Sequence, residues 1–197
     1  MTESGDMLRL RLYGEEFPDY PPLYFWLASA AVRAGGYREV VMRLPTVLSA
    51  VGLLALTALW LRKRLGYRAA VWGVITLGTA YNFVSEATHM HIDMMFAFFI
   101  GAAIILYDLA RDGGRWTGLL WAASAAAMGL ASLVKGPAGV ALPAMVLGLD
   151  HVTRKEWRGA ARVTLLSIAG AAVFLAWAAA YARAAGASNL AYFIFQQ

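Results

Sequence analysis

Six apolar runs decide what this chain can fold into. Read with a window of about 19 residues, they occupy residues 44–61, 69–84, 94–110, 116–134, 137–149 and 163–182. Of 197 residues, 60% are hydrophobic and only 15% charged, too little polar surface to cover a soluble fold of this size, so the surplus must face lipid. The runs are continuous rather than alternating. They therefore specify helices, which satisfy their own backbone groups within lipid, and not barrel strands. The predicted fold class is all-α, a polytopic transmembrane helical bundle. The run 137–149 is short and contains Pro143, so a kinked or incompletely spanning helix is expected there. Between Ala122 and Ser132 the sequence AASAAAMGLAS would let neighbouring helices approach closely, with ordinary packing as the plainer reading.

Charge sets the orientation. Arg62, Lys63, Arg64 and Arg68 follow the first run, Arg111 and Arg115 the third, and Arg154, Lys155, Arg158 and Arg162 the fifth. These positives share one side, which the positive-inside rule makes cytoplasmic. The net charge of +5 is thus distributed as a topology signal and not gathered on a soluble face, so no nucleic-acid partner is expected. Cysteine is absent, which excludes disulfides and thiolate chemistry. The alternation places residues 1–43 outside, yet no basic start and apolar core precede Pro21 to deliver them there. Residues 21–32 (PPLYFWLASAAV) are too short for a comfortable span. Tyr24, Phe25 and Trp26 suit the headgroup level, which predicts an interfacial helix opened by paired prolines, with a re-entrant helix as the alternative.

Chemistry concentrates on the outer side. Glu86, His89, His91 and Asp93 lie in the outer loop between two runs. A single Asp at a helix centre costs roughly 2.5 to 3.5 kcal/mol, so polar clusters at a bilayer usually have a reason. The alternatives here are a solvated turn and a convergent site. In a helix His89 and Asp93 share a face; in an extended loop His89, His91 and Asp93 do. H-x-H-x-D is also a metal-ligand pattern, but in soluble metallohydrolases its ligands project from a sheet, so no metal or other cofactor is expected, a divalent ion being the alternative. Asp108 and Asp150 fall at cytoplasmic ends, where solvation is the default expectation. Lys135, before Gly136-Pro137, either snorkels to the interface or binds an anion beside the start of the next helix. Arg43, before Leu44-Pro45, has the same two readings. Asp19 is either a loop acid or a carboxylate held at fixed height by Pro21-Pro22. Carboxylates and cations at headgroup level suit a substrate that is half lipid and half phosphate-linked polar group.

The ordered motifs resemble polytopic glycosyltransferases of the GT-C type, glycosyltransferase family 39, in the branch of the aminoarabinose transferases and protein O-mannosyltransferases. They are Ser4-Gly5-Asp6-Met7 with Gly14-Glu15, then DYPPLYFWLA, RLP from Arg43, SEATHMHIDMMFAFF, LVKGPAG and the closing NLAYFIFQQ. The resemblance implies inverting sugar transfer from a polyprenyl-phosphate donor to an envelope lipid, glycan or protein on the periplasmic face of the bacterial inner membrane, with membrane lipids as surroundings. It implies that Asp19 matches the acid before the proline pair, Asp93 the acid of the second outer loop, Lys135 the lysine of the Lys-Gly-Pro turn and Arg43 the arginine before the second family span. Asp19, Glu86 and Asp93 are then the catalytic candidates. Tyr20, Tyr24, Arg43, His89, His91 and Lys135 are the substrate-binding ones. Tyr20 stands where aminoarabinose transferases commonly have a lysine.

Against that family pattern the chain reads as one partial membrane domain. Residues 1–43 form a periplasmic loop with the interfacial helix, 44–182 six transmembrane helices, and 183–197 a periplasmic segment. The family begins with a further helix and an acidic motif and continues with several more helices, so the resemblance implies a fragment or truncated product whose general base lies upstream. The rival readings are a lipid-linked substrate transporter or flippase, which would need a polar path through the spans, and an inactive truncated membrane protein or scaffold.

Overall fold

The computed structural model describes residues 20–185 and the backbone of two short strands, β1 (Arg11–Leu12) and β2 (Glu15–Glu16), which pair antiparallel with Arg11 opposite Glu16. Everything else regular among the described residues is helical. Pro21 and Pro22 open α1 (Leu23–Gly35), which closes at Gly36. A single turn, α2 (Glu39–Met42), leads into α3 (Leu44–Leu65), with Pro45 in its first turn, where the missing N–H costs nothing. The chain continues through α4 (Tyr67–Thr79), α5 (Tyr81–Thr88), α6 (Ile92–Ala110), α7 (Thr117–Lys135), α8 (Ala138–Thr153) and α9 (Trp157–Ala185).

Four of these, α3, α6, α7 and α9, are long and apolar enough to cross a membrane. The second apolar run of the sequence is divided at Ala80, which is extended (φ −63°, ψ 127°), into α4 and α5. Thr79 at the break turns its hydroxyl back onto the carbonyl of Ile75 at 2.7 Å, a bond that competes with the helical ladder. The fifth run forms α8, 16 residues with Pro143 inside it, about 24 Å long against a hydrocarbon core of about 30 Å. Half of the apolar window of α7 is buried within the protein, against 22 to 28% for the other three long helices, so α7 is the centre of the bundle. Its small residues make this possible. Ser124, Ala125, Ala127, Gly129, Ala131 and Ser132 are all buried, and the Ser124 hydroxyl donates to the Ala103 carbonyl of α6 at 2.7 Å.

The helices alternate in direction, which sorts the polar residues to two ends. At the end rich in arginine, Arg64 of α3 donates to Asp108 of α6 at 2.8 Å and to Asp112 at 2.7 Å, while Lys63 pairs with Asp112 at 2.6 Å. The indole of Trp60 also donates to Asp108 at 2.7 Å. Arg111 joins Asp150 (2.7 Å) and Glu156 (3.2 Å), and Arg154 closes on Asp150 (2.8 Å). Asp108 and Asp150 stay partly exposed, at 29% and 33%, and at the same time tie α3, α6, α8 and the turn before α9 together. At the opposite end, Leu23 and Tyr24 of α1 pack with Met95, Leu133, Val134, Phe174, Trp177 and Tyr181. This seats α1 across the ends of α6, α7 and α9.

Candidate active site

Two helix termini meet at that second end. Asp93 lies in the first turn of α6 and Lys135 is the last residue of α7, so each charge stands where its helix dipole favours it. The antiparallel packing of α6 on α7 brings them into an ion pair across 42 residues of sequence, and the Lys135 ammonium lies 5.8 Å from the centre of the Phe96 ring. The side chains are 40% and 51% exposed, so the pair adds only about 0 to 1 kcal/mol to stability. Its consequence is positional. Gly136 makes the turn possible: at φ 71°, ψ −156° its backbone lies in a region essentially confined to glycine.

The histidines follow from the same turn. His91 is the residue before α6, and its Nδ1 lies 2.8 Å from Oε2 of Glu86 on α5. His89 Nδ1 lies 2.8 Å from the Ser85 carbonyl, which can only accept, so this nitrogen carries the proton. The two imidazoles stack with centroids 5.7 Å apart. Glu86 and Asp93 thus have different partners, His91 for one and Lys135 for the other. Among the described residues no group of three His, Asp or Glu side chains is placed to hold a metal ion.

Arg43 joins α2 to α3 and pairs with Glu39 one turn earlier, while its Nε is buried without a hydrogen-bond partner among the described residues. One turn further on, fully buried Thr46 places its hydroxyl 3.4 Å from the Tyr24 hydroxyl and 3.5 Å from the His91 carbonyl. Thr46 therefore links α1, α3 and the histidine turn, a role no sequence motif announced. Tyr24 is buried and Tyr20 exposed at the entrance to α1. Asp19 lies outside the described residues. An apolar cavity of about 380 Å³ opens between α1, α3 and α6, lined by residues including Leu27, Ala31, Leu44, Leu48, Met95 and Phe98. Glu39 was also missed from sequence, although its spacing of four from Arg43 is a readable helix-pair signal.

The sequence model of the family described as dolichyl-phosphate-mannose-protein mannosyltransferase matches residues 19–182. An uncharacterized protein of Aquifex aeolicus (strain VF5) is 31% identical over 149 residues, 75% of this chain and 29% of its own length. The undecaprenyl phosphate-alpha-4-amino-4-deoxy-L-arabinose arabinosyl transferase 2 of Sodalis glossinidius (strain morsitans) is 27% identical over 164 residues, 80% of this chain and 29% of its own. Crystal structures of ArnT from Cupriavidus metallidurans, in the apo state and bound to undecaprenyl phosphate, share the fold over the whole chain at TM-scores of 0.89 and 0.91, with 22% and 23% identity. The chain spans 29% of the length of the curated relatives it matches and 37% of those structures.

Proposed function

Since the chain belongs to the dolichyl-phosphate-mannose-protein mannosyltransferase family, we propose that the protein it represents transfers a sugar from a polyprenyl-phosphate donor to an envelope acceptor, at the outer face of the bacterial inner membrane. The observation that carries this reading is the Asp93–Lys135 pair, set beside an aromatic ring at the end of the bundle away from the arginine-rich loops. Breaking the bond between the anomeric carbon and the donor phosphate leaves negative charge on phosphate and positive charge on the sugar. Lys135 and Arg43 supply cations for the first, and Asp93 a carboxylate for the second. Asp93 also holds the ammonium in place before the donor arrives, so little reorganisation accompanies bond cleavage. The apolar cavity that begins at Leu44, the residue after Arg43, suits the first isoprene units of the carrier, and in this reading the phosphate sits at the rim between lipid and water. One relative is named for an undecaprenyl-phosphate sugar and one solved neighbour holds undecaprenyl phosphate, in keeping with such a donor.

The test uses the full-length gene product in membranes supplied with polyprenyl-phosphate sugars. Asp93→Asn and Lys135→Ala together should lower transfer by at least the roughly 10²- to 10³-fold seen when one preorganised charge-stabilising donor is removed. Unchanged transfer would refute the assignment.

A further inference from the structure

We infer that a slot between α3 and α4, at the arginine-rich end, binds an anionic phospholipid of the cytoplasmic leaflet, with Arg62 on the phosphate and an acyl chain between the helices. The slot holds about 380 Å³. Small side chains make the space, Ala58 on the α3 wall and Ala70 on the α4 wall, and the rest of the lining is apolar apart from Arg62 and Tyr67 at one end. Leu59 and Ile75, also in the lining, are exposed, so the slot opens sideways to the surface where lipid lies. From Tyr67 to Ile75 the helix rises about 12 Å. The slot therefore runs from the membrane face into the hydrocarbon, the direction an acyl chain takes.

Charge selects the headgroup. The turn between the helices, residues 62–68 (RKRLGYR), carries four cations on the side that the positive-inside rule makes cytoplasmic. Two of them are engaged: Arg64 donates to Asp108 and Asp112, and Lys63 pairs with the second oxygen of Asp112. Arg62 and Arg68 are exposed and pair with no carboxylate among the described residues. Arg62 thus stands at the mouth of an apolar slot with a guanidinium fork free to take a phosphate through two parallel hydrogen bonds. Tyr67 lies beside it, and α4 begins there without a side-chain cap, so its dipole also favours negative charge at this end. A zwitterionic headgroup brings an ammonium for which the lining has no carboxylate. Free phosphate leaves the slot empty, whereas an anionic phospholipid uses both parts, as basic pockets between membrane helices do on this leaflet.

The experiment titrates the full-length protein, purified in neutral detergent, with phosphatidylglycerol or phosphatidylcholine of matched chains, and counts bound lipid by native mass spectrometry. Phosphatidylglycerol should bind at least about fivefold more tightly, and Arg62→Gln should remove about that factor, the effect of one arginine near an anionic headgroup. Arg158→Gln, on α9, which packs on α7 and α8, should stay within about twofold of wild type, because screening confines a charge's reach to about 8 Å at physiological salt. Without lipid, Arg62→Gln should melt with the wild type, since Arg62 is exposed and holds no ion pair among the described residues; added phosphatidylglycerol should then raise the wild-type melting temperature more than the variant's. In nanodiscs, phosphatidylglycerol with a diazirine in its acyl chain should crosslink to residues 58–62 and 67–75. Equal affinity for the two lipids, or Arg62→Gln binding phosphatidylglycerol as the wild type does, overturns the site. Crosslinks confined to other segments overturn it as well, by showing that another part of the full-length protein covers the slot. No arm reads sugar transfer, so failure here leaves the transferase reading standing.

Discussion

Replacing Tyr107 by phenylalanine deletes one oxygen from the middle of the arginine-rich end and should cost far more than its size suggests. Tyr107 is fully buried on α6, and its hydroxyl lies 2.7 Å from His151 Nε2 on α8 and 3.4 Å from the Gly159 carbonyl on α9. His151 is itself 3% exposed and holds Glu156 through Nδ1 at 2.7 Å. The variant keeps the ring packing but strands a buried imidazole nitrogen, a penalty of about 1 to 3 kcal/mol. Hydrogen bonds between membrane helices average about 0.6 and reach about 1.7 kcal/mol in double-mutant cycles, which sets the lower part of that range as the expectation. Tyr107→Phe should thus lose about 1 to 2 kcal/mol. For a chain of this size that lowers the melting temperature by about 2 to 4 °C per kcal/mol, read by thermal unfolding in detergent. Tyr107→Phe, His151→Leu and the double variant form a cycle whose coupling should be about 0.6 to 1.7 kcal/mol. A Tyr107→Phe protein that melts with the wild type, or strictly additive single losses, would refute the view that this network clamps α6, α8 and α9 together.

Other perturbations probe the remaining joints. Gly136→Ala forces a side chain onto φ 71°, ψ −156°, at a cost of about 1 to 3 kcal/mol, and should lower both melting temperature and donor affinity by shifting Lys135 off Asp93; unchanged affinity would separate the turn from the site. The Asp112 carboxyl is held below its ordinary range, first by Lys63 and then by Arg64, both through side-chain hydrogen bonds. A depressed folded value means its contribution is present above the ordinary carboxylate range and is lost as the pH falls through the folded value, so the wild type should lose melting temperature below about pH 4. Asp112→Asn should flatten that acid limb, and an identical limb in both proteins would contradict the pairing. Ser124→Val removes the bond to the Ala103 carbonyl and widens a close α6–α7 contact; it should destabilise more than Ser124→Ala, and the reverse order would count against close packing there.

The long helices were legible because lipid exposure requires apolar residues all round, so α3, α6, α7 and α9 announce themselves by composition alone. The break at Ala80 was not, since the run 69–84 stays apolar through it and neither Gly73 nor Gly78 marks the residue that leaves the helix. Asp93 and Lys135 could each be singled out from their motifs. Their pairing additionally needs α6 and α7 to be antiparallel neighbours, which the loop charges imply through the alternation of ends. Thr46 carries no such mark: a threonine one turn into an apolar helix is ordinary until α1 folds back over it. The partners of Asp108 and Asp150 were hidden for a related reason. Asp108 looks like an interfacial acid along the chain, and only the packing of α3 on α6 reveals Trp60 and Arg64 beside it.

The claim on which the functional account rests is that the histidine turn opens at the outer lipid–water boundary together with Lys135. The sequence contains no cysteine, so Met90→Cys, at an exposed position between the two histidines, gives a single reporter in the full-length protein if any other cysteines there are replaced. In intact cells with a permeabilised outer membrane, a membrane-impermeant maleimide should label it rapidly, and undecaprenyl phosphate should slow that labelling. Labelling that occurs only after the inner membrane is opened would place the turn in the cytosol and leave the proposed transfer centre without its substrate.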